Sequence, residues 1–217
     1  MPVWGIVVAG GQGARFGALK QFEALGAARP SLVERAVATT ASTCDRVVVV
    51  LPPGRAWDGP PVTAVVAGGK RRSDSVRAGL AAVAADADVV VVHDAARPLA
   101  SPGLFRFVVD AVRGGADGAV PALALGDTVK RVEGTRVVET VPRDGLAAAQ
   151  TPQAFRADVL RRAHAGGADA TDDAALVEAA GGTVVVVPGE RTNLKVTTPA
   201  DLEVAAAMLS TAEEKTR

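Results

Sequence analysis

Six short valine-rich runs alternate with helix-like stretches along this chain and restrict the folds open to it. The runs are residues 3–9, 47–51, 62–67, 89–93, 118–122 and 183–187. Continuous β-branched runs favour strands buried on both faces of a parallel sheet. The helix-like stretches each begin with a serine that can act as an N-cap, at residues 31–43, 73–85 and 101–114. This alternation predicts an α/β fold with an open, doubly wound (Rossmann-like), mostly parallel sheet.

One domain over residues 1–217 is expected, because the sequence shows no repeat, linker or low-complexity tract. Hydrophobic residues make up 48% of the chain but aromatic residues only 3%, so the core must be aliphatic. Near the end, Thr198-Pro199 followed by Asp201 has the pattern of a helix start, and the helix is expected to run to about Leu209. The polar tail, residues 211–217, is expected to fray.

Charge and cysteine content exclude several classes of protein. Lys plus Arg and Asp plus Glu both total 24, so the formal net charge is zero. The chain therefore lacks the overall positive electrostatic field expected of a nucleic-acid binder. The single cysteine, Cys44, excludes an intramolecular disulfide and a multi-cysteine zinc site. The apolar run at residues 4–9 is too short for a signal peptide or a membrane span. A cytoplasmic protein without nucleic-acid or membrane partners is therefore expected.

A hairpin interrupts the strand–helix rhythm. Residues 127–132 and 136–141 are strand-like runs joined by Glu133-Gly134-Thr135, a plausible turn. Their apolar positions are too few to form a core. Two interpretations remain: a surface hairpin, or the favoured one, a dimerisation arm at residues 127–141 that embraces a second subunit.

A glycine-rich turn follows the first strand directly. Residues 9–17 read AGGQGARFG, and Lys20 comes three residues later. Such a turn lets backbone N–H groups approach phosphate oxygens closely, although a bare G-x-G also occurs as a simple tight turn. The dinucleotide fingerprint fails because Phe16 stands at its third glycine, and the P-loop signature fails too. Instead, Arg15 and Lys20 supply two cations suited to a nucleotide's phosphates.

The fourth strand ends in His93-Asp94-Ala95-Ala96-Arg97-Pro98. Ligands of open α/β sheets bind beyond the carboxyl ends of the strands. Asp94 is well placed there to act on a magnesium–triphosphate, and Arg97 to grip a phosphate in a bidentate manner. Alternatively, Asp94 is a turn former with Arg97 as its partner. His93 is expected to be a packed or hydrogen-bonding strand residue.

Eight sequence stretches, in order and across nearly the whole chain, resemble the 2-C-methyl-D-erythritol 4-phosphate cytidylyltransferase family. Each motif is modest, but their joint occurrence is specific. The stretches are residues 9–21, 68–76, 93–98, 127–130, 143–146, 150–153, 171–173 and 193–197. One departure is Leu19, which stands where the family commonly has proline. The resemblance implies a homodimeric nucleotidyltransferase of the non-mevalonate route to isoprenoid precursors.

The resemblance also implies roles for individual residues. Arg15 and Lys20 would stabilise the transition state at the α-phosphate of CTP. Arg143 and Lys195 would position the acceptor for attack. The residues implied to line the CTP pocket are Ala9, Gly10, Gly11, Gly69, Ser75 and Ala95.

The acceptor half of the site follows from the same resemblance. Asp94 would orient the acceptor diol or bind the metal, Mg²⁺ or another divalent cation, with Arg97 beside it. Thr128 and Thr171 would donate hydroxyl hydrogen bonds to the acceptor, and Thr171 would also cap a helix starting at Asp172. Thr128 and Arg143 would reach the site from the partner's arm, which gives a homodimer with shared active sites.

The resemblance implies a reaction that joins a small sugar-alcohol phosphate to the CMP half of CTP and releases pyrophosphate. The acceptor's own phosphate oxygen is the nucleophile, so neither a protein nucleophile nor a strong base is needed. Two alternatives remain open from the sequence. A ribitol-phosphate or related alditol-phosphate cytidylyltransferase shares these loops, and a non-catalytic nucleotide sensor shares the fold.

Overall fold

The computed structural model describes residues 2–11, 19–26 and 29–214. Within them the chain forms ten strands, six α-helices and one short 3-10 helix at Lys20–Phe22. The strands are β1 (Val3–Val8), β2 (Arg46–Leu51), β3 (Ala64–Ala67), β4 (Val89–Asp94), β5 (Gly118–Ala124), β6 (Val129–Glu133), β7 (Arg136–Val141), β8 (Ala147–Ala149), β9 (Gln153–Arg156) and β10 (Val184–Pro188). The helices are α1 (Leu32–Ala41), α2 (Arg72–Ala81), α3 (Pro102–Arg113), α4 (Ala157–Ala165), α5 (Asp173–Ala179) and α6 (Pro199–Glu214).

The main sheet is mostly parallel, as predicted. Its strand order is β10-β5-β9-β4-β1-β2-β3, and β8 pairs with β5 outside this path. Strand β1 lies between β4 and β2, parallel to both. Only β8 and β9 run antiparallel to their neighbours in this sheet, as far as the described residues show. The six predicted strands all form, with ends that shift by up to two residues.

Helices cover both faces of the sheet, and alternate residues of one strand serve the two faces. On one face, Val48 and Val50 of β2 pack against α2, in a hydrophobic cluster that extends across the sheet to α4 and α5. Val47 and Val49 point the other way and pack against α1, while α3 covers the outer part of that face. Because the central strands are buried on both sides, they read as uninterrupted valine runs. The doubly wound prediction is confirmed.

Two of the three predicted serine caps form. The Ser31 hydroxyl caps α1 in a capping box with Glu34, and the Ser101 hydroxyl accepts the Leu104 N–H at 3.1 Å at the start of α3. The third prediction is wrong. Helix α2 begins earlier, with Arg71 as N-cap, because the Asp74 carboxylate accepts the Arg71 backbone N–H at 3.1 Å. Ser73 lies inside the first turn.

The C-terminal helix starts as predicted and ends later. The Thr198 hydroxyl accepts the Asp201 N–H at 3.3 Å, and α6 begins at Pro199. It continues to Glu214, so residues 211–214, which were expected to fray, are helical. Neither glycine nor proline stands in that stretch to end the helix. Residues 215–217 lie outside the described residues.

The predicted hairpin is present as a separate two-stranded sheet of β6 and β7. Its turn is Gly134-Thr135, one residue shorter than expected, because Glu133 pairs with Arg136. Gly134 adopts φ +56°, which two-residue hairpin turns require and glycine permits without steric cost. No helix among the residues that the structure describes is both long enough and apolar enough to span a membrane.

Candidate active site

A cavity of about 380 Å³ opens beyond the carboxyl ends of β1 and β4. This is the edge at which open parallel sheets bind their ligands. Nine of the residues implicated by the sequence line it together: Ala9, Gly10, Gly11, Lys20, Gly69, Ser75, Asp94, Ala95 and Lys195. Arg15 lies outside the described residues.

Glycines form one wall of the cavity because the start of α2 packs directly on the ends of β1 and β3. A Cβ at Gly69 would lie 2.3 Å from the Asp74 Cβ, and one at Gly68 would lie 2.8 Å from the Ser75 Oγ. The Ser75 hydroxyl accepts the Gly69 N–H and donates to the Arg71 carbonyl, both at 3.2 Å. Ser75 therefore holds this wall in place as well as lining the cavity.

Gln21 has a role that the sequence did not reveal. Its side-chain amide donates to the carbonyl oxygens of Ala9 and Gly11, both at 2.8 Å, and the residue is only 4% exposed. These bonds tie the described part of the glycine-rich turn to the segment after Lys20. A glutamine next to a predicted site lysine was visible in the sequence, but its burial was not.

Of the described residues that line this cavity, Asp94 is the one carboxylate. It contacts two cationic side chains. Its Oδ2 accepts from Lys195 Nζ at 2.7 Å and its Oδ1 from Arg72 Nε at 3.1 Å. Burial raises the pKa of the Asp94 carboxyl, but the charges and hydrogen bonds of Arg72 and Lys195 outweigh burial and hold that pKa well below its usual range. Asp94 is therefore ionised at neutral pH.

The carboxylates around this cavity suit a metal ion that enters bound to a nucleotide better than they suit an ion held permanently by the protein. Within residues 2–11, 19–26 and 29–214, no three His, Cys, Asp or Glu side chains are grouped so as to hold a metal. Mg²⁺ at such sites is commonly held by phosphate oxygens and only one or two carboxylates. Asp94 can be one such ligand, since a carboxylate keeps further lone pairs when it accepts two hydrogen bonds.

A second cavity, of about 240 Å³, adjoins the first and shares Arg72, Asp94 and Lys195 with it. Arg97 and Thr171 line this second cavity. The Arg97 guanidinium donates to the Asn193 carbonyl at 2.7 Å, so it is fixed by backbone rather than by Asp94.

The expectation that Thr171 caps a helix is wrong. Asp172 is the N-cap of α5, and its Oδ1 accepts the Ala175 N–H at 3.0 Å. The carboxylate displaces the hydroxyl because it lies one residue nearer to the helix and is the stronger acceptor. The Thr171 hydroxyl consequently has no part in starting α5.

Two predicted site residues are not brought to either cavity within this chain. Thr128 directly precedes β6 and Arg143 follows β7, so both lie at the base of the hairpin, and both are exposed. The Arg143 guanidinium donates to the Gly126 carbonyl at the hairpin base. In this chain they therefore contact neither Asp94 nor Lys195.

His93 is a packed strand residue, as expected. Its Nε2 lies 3.1 Å from the Arg97 carbonyl, which can only accept, so Nε2 carries the proton. Nδ1 then accepts from the Thr151 hydroxyl at 3.2 Å, and that hydroxyl oxygen accepts the Asp94 N–H at 3.0 Å. Burial lowers the pKa of His93 to about 4, so the imidazole is neutral near pH 7.

A family model, 2-C-methyl-D-erythritol 4-phosphate cytidylyltransferase, matches residues 3–211. The chain belongs to this family. A relative with the family's name from Rhodococcus jostii is 45% identical, over 96% of this chain and 95% of its own length. Another from Frankia casuarinae is 47% identical, over 94% of this chain and 80% of its own length.

Solved structures of family members have the same fold. The 2-C-methyl-D-erythritol 4-phosphate cytidylyltransferase of Thermus thermophilus is 35% identical with a TM-score of 0.81, covering 94% of this chain and 98% of that one. Some relatives are longer. A protein of Anaeromyxobacter dehalogenans named bifunctional enzyme IspD/IspF is 48% identical over 95% of this chain, which spans only 57% of that relative's length.

Proposed function

We propose that this chain transfers CMP from CTP to 2-C-methyl-D-erythritol 4-phosphate, giving 4-diphosphocytidyl-2-C-methyl-D-erythritol and pyrophosphate in the non-mevalonate pathway. The observation that carries the proposal is the charge of the larger cavity. Its described lining contains one carboxylate, Asp94, and five cationic side chains: Lys20, Lys70, Arg71, Arg72 and Lys195. Such a surplus of positive charge suits a triphosphate.

The two adjoining cavities fit the two substrates. The larger one has the glycine wall against which a nucleotide can approach the backbone closely. The smaller one offers Arg97 and Thr171 to a polar acceptor. Lys195 and Asp94 line both, so they lie where the acceptor phosphate would meet the α-phosphate of CTP.

In this mechanism the protein positions the reactants and neutralises charge. The acceptor phosphate oxygen attacks the α-phosphorus in line, and pyrophosphate leaves. Lys20, with Arg15 by family resemblance, stabilises the charge that develops at the α-phosphate, while Lys195 positions the acceptor. A bound Mg²⁺ would supply Lewis-acid polarisation of the triphosphate, and Asp94 is the residue that would hold it.

The proposal includes a homodimer in which residues 127–141 act as an arm. Val132, Val137 and Val138 on this hairpin are 56%, 55% and 39% exposed, an apolar surface that a second subunit would cover. Arg143 and Thr128 would then enter the partner's acceptor cavity. The remainder of residues 1–217 would form one nucleotidyltransferase domain.

Pyrophosphate release from CTP and Mg²⁺ tests the proposal, with methylerythritol phosphate and ribitol 5-phosphate as alternative acceptors. We expect a clear preference in kcat/KM for methylerythritol phosphate. A preference for ribitol phosphate would overturn the acceptor and keep the reaction type. Binding of CTP without release of pyrophosphate with either acceptor would make the chain a nucleotide sensor.

A further inference from the structure

Arg72 lies at the junction of the two cavities and lines both. Its guanidinium connects two carboxylates on separate elements. Nε donates to Asp94 Oδ1 at 3.1 Å at the end of β4, and Nη1 donates to Asp173 Oδ2 at 2.8 Å at the start of α5. The Arg72 side chain is 23% exposed and that of Asp173 only 1%.

The contacts behind Arg72 fix it in place. The second oxygen of Asp173 lies 3.0 Å from His164 Nε2, and both side chains are almost fully buried. His164 belongs to α4 and Asp173 to α5, and both helices pack on the sheet. The side chains thus form a chain of contacts in the order His164, Asp173, Arg72, Asp94, Lys195.

We infer that Arg72 is a positioning residue for the transfer reaction, one that fixes the Asp94 carboxylate and, through it, the Lys195 ammonium. The inference rests on the proposed function, since it concerns the residues at which acceptor and nucleotide would meet. With Oδ1 held by Arg72, Asp94 presents Oδ2 to Lys195 in one orientation. The ammonium is then directed to the junction rather than moving freely on its flexible stem.

Stability alone does not account for this arrangement. The Arg72 Nη2 is buried and has no hydrogen-bond partner among the described residues, which costs stability. Buried ion pairs also add little to stability compared with apolar packing. Arg72 differs from a lysine because its planar guanidinium contacts the two carboxylates through two separate nitrogens in a fixed geometry, whereas an ammonium offers one nitrogen on a flexible stem.

Arg72→Lys keeps the charge and removes the fork, and Arg77→Lys is its matched control. Arg77 lies on the same helix, pairs with Asp74, and is also 23% exposed, but it lines neither cavity. We expect Arg72→Lys to lower kcat roughly 10–100-fold, since small misplacements at a reacting centre have effects of this size. The KM for CTP should change less than about threefold, and Arg77→Lys should stay within about twofold of wild type.

A double-mutant cycle tests whether Arg72 and Asp173 act as one unit, while the split between kcat and the KM for CTP separates positioning from a structural role. Asp173→Asn should lower kcat in the same way, and the double variant Arg72→Lys/Asp173→Asn should be no slower than the more damaged single variant. If Asp173→Asn does not fold, His164→Gln replaces it in the cycle. Equal kcat for Arg72→Lys and Arg77→Lys, or single effects that multiply, would overturn the inference. Wild-type protein without turnover would instead overturn the proposed function.

Discussion

The nucleotide cavity and the hairpin are built in opposite ways. Around the cavity, polar side chains are buried and bonded to their neighbours: Gln21, Ser75 and Asp94 are 4%, 3% and 8% exposed. On the hairpin, β7 is exposed over its first five residues. Its Arg131–Glu139 ion pair is 64% and 49% exposed on the two sides. The described lining of the cavity comes together within one chain, whereas the hairpin finds no packing partner within the described part of that chain.

This difference shows which part of a site a single chain can specify. The ends of parallel strands meet at one edge, so residues far apart in sequence, such as Lys20 and Lys195, line one cavity without further help. Arg143 has no such framework. In the proposed dimer, its position relative to the acceptor would depend on the subunit that covers the hairpin.

The largest expected effect concerns Lys20 and Arg143, one residue from each region. Lys20→Ala removes charge stabilisation from the cavity and should lower kcat roughly 10²–10³-fold, as loss of a transition-state donor typically does. Arg143→Ala should have a similar effect if the arm completes the partner's site. Steady-state rates of the two purified variants check this.

Mixing the two variants distinguishes a shared site from a site within one subunit. After co-refolding, a mixed dimer with crossing arms has one site with both lesions and one with neither. Since random pairing makes about half the dimers mixed, activity should recover to roughly a quarter of wild type. Persistent inactivity in verified heterodimers would show that the arm is only a surface hairpin, because every site would then keep one lesion.

A smaller effect is expected from His93 beneath the cavity. Its folded pKa of about 4 lies below the ordinary value of 6.5, so the unfolded chain takes up a proton first as the pH falls. The stabilisation is complete above pH 6.5 and is lost on acidification toward pH 4, by up to about 3 kcal/mol.

Urea unfolding of wild type and His93→Gln at several values of pH measures this contribution. The variant is expected to be less stable near pH 7, where it lacks the hydrogen bonds of the imidazole. Its stability should nevertheless fall less between pH 7 and pH 4. The same pH dependence in both proteins would show that His93 is not held neutral by burial.

The smallest effect is expected on the hairpin. Arg131→Ala breaks an ion pair between two exposed side chains, so the free energy of unfolding should change by no more than about 0.5 kcal/mol. Chemical denaturation of Arg131→Ala and Glu139→Ala, alone and combined, measures it. A coupling well above about 1 kcal/mol would mean that this pair is buried in an interface.

Long periodic features made the fold predictable. The valine runs marked the central strands because burial on both faces leaves no polar positions, and Ser31 and Ser101 marked two helix starts. Strands β8 and β9 and helix α4 were missed. A four-residue strand carries too short a pattern, and β9 is specified by its antiparallel pairing with β4 and β5 rather than by its own composition.

The site was predictable where a residue type met a strand end, as at Asp94. Site residues could not be predicted where several residues of the same type follow one another and differ only in how deeply the fold buries them. Lys70, Arg71 and Arg72 are three consecutive cations in the sequence, yet only Arg72 reaches Asp94 and Asp173. Arg72 reaches them because of the direction in which α2 turns this residue and because α5 packs nearby. The local sequence determines neither.

The hairpin is inserted between two strands that lie side by side in the sheet. Gly118 and Ala119 of β5 pair with Phe155 and Ala154 of β9, so both ends of the excursion are held together by the framework. Surface excursions with closely spaced ends tolerate changes of length and sequence. The hairpin can therefore vary in length and sequence without altering the register of the central strands. If it brings Thr128 and Arg143 to a partner's site, as proposed, changes in it would alter acceptor preference and leave the nucleotide cavity as it is.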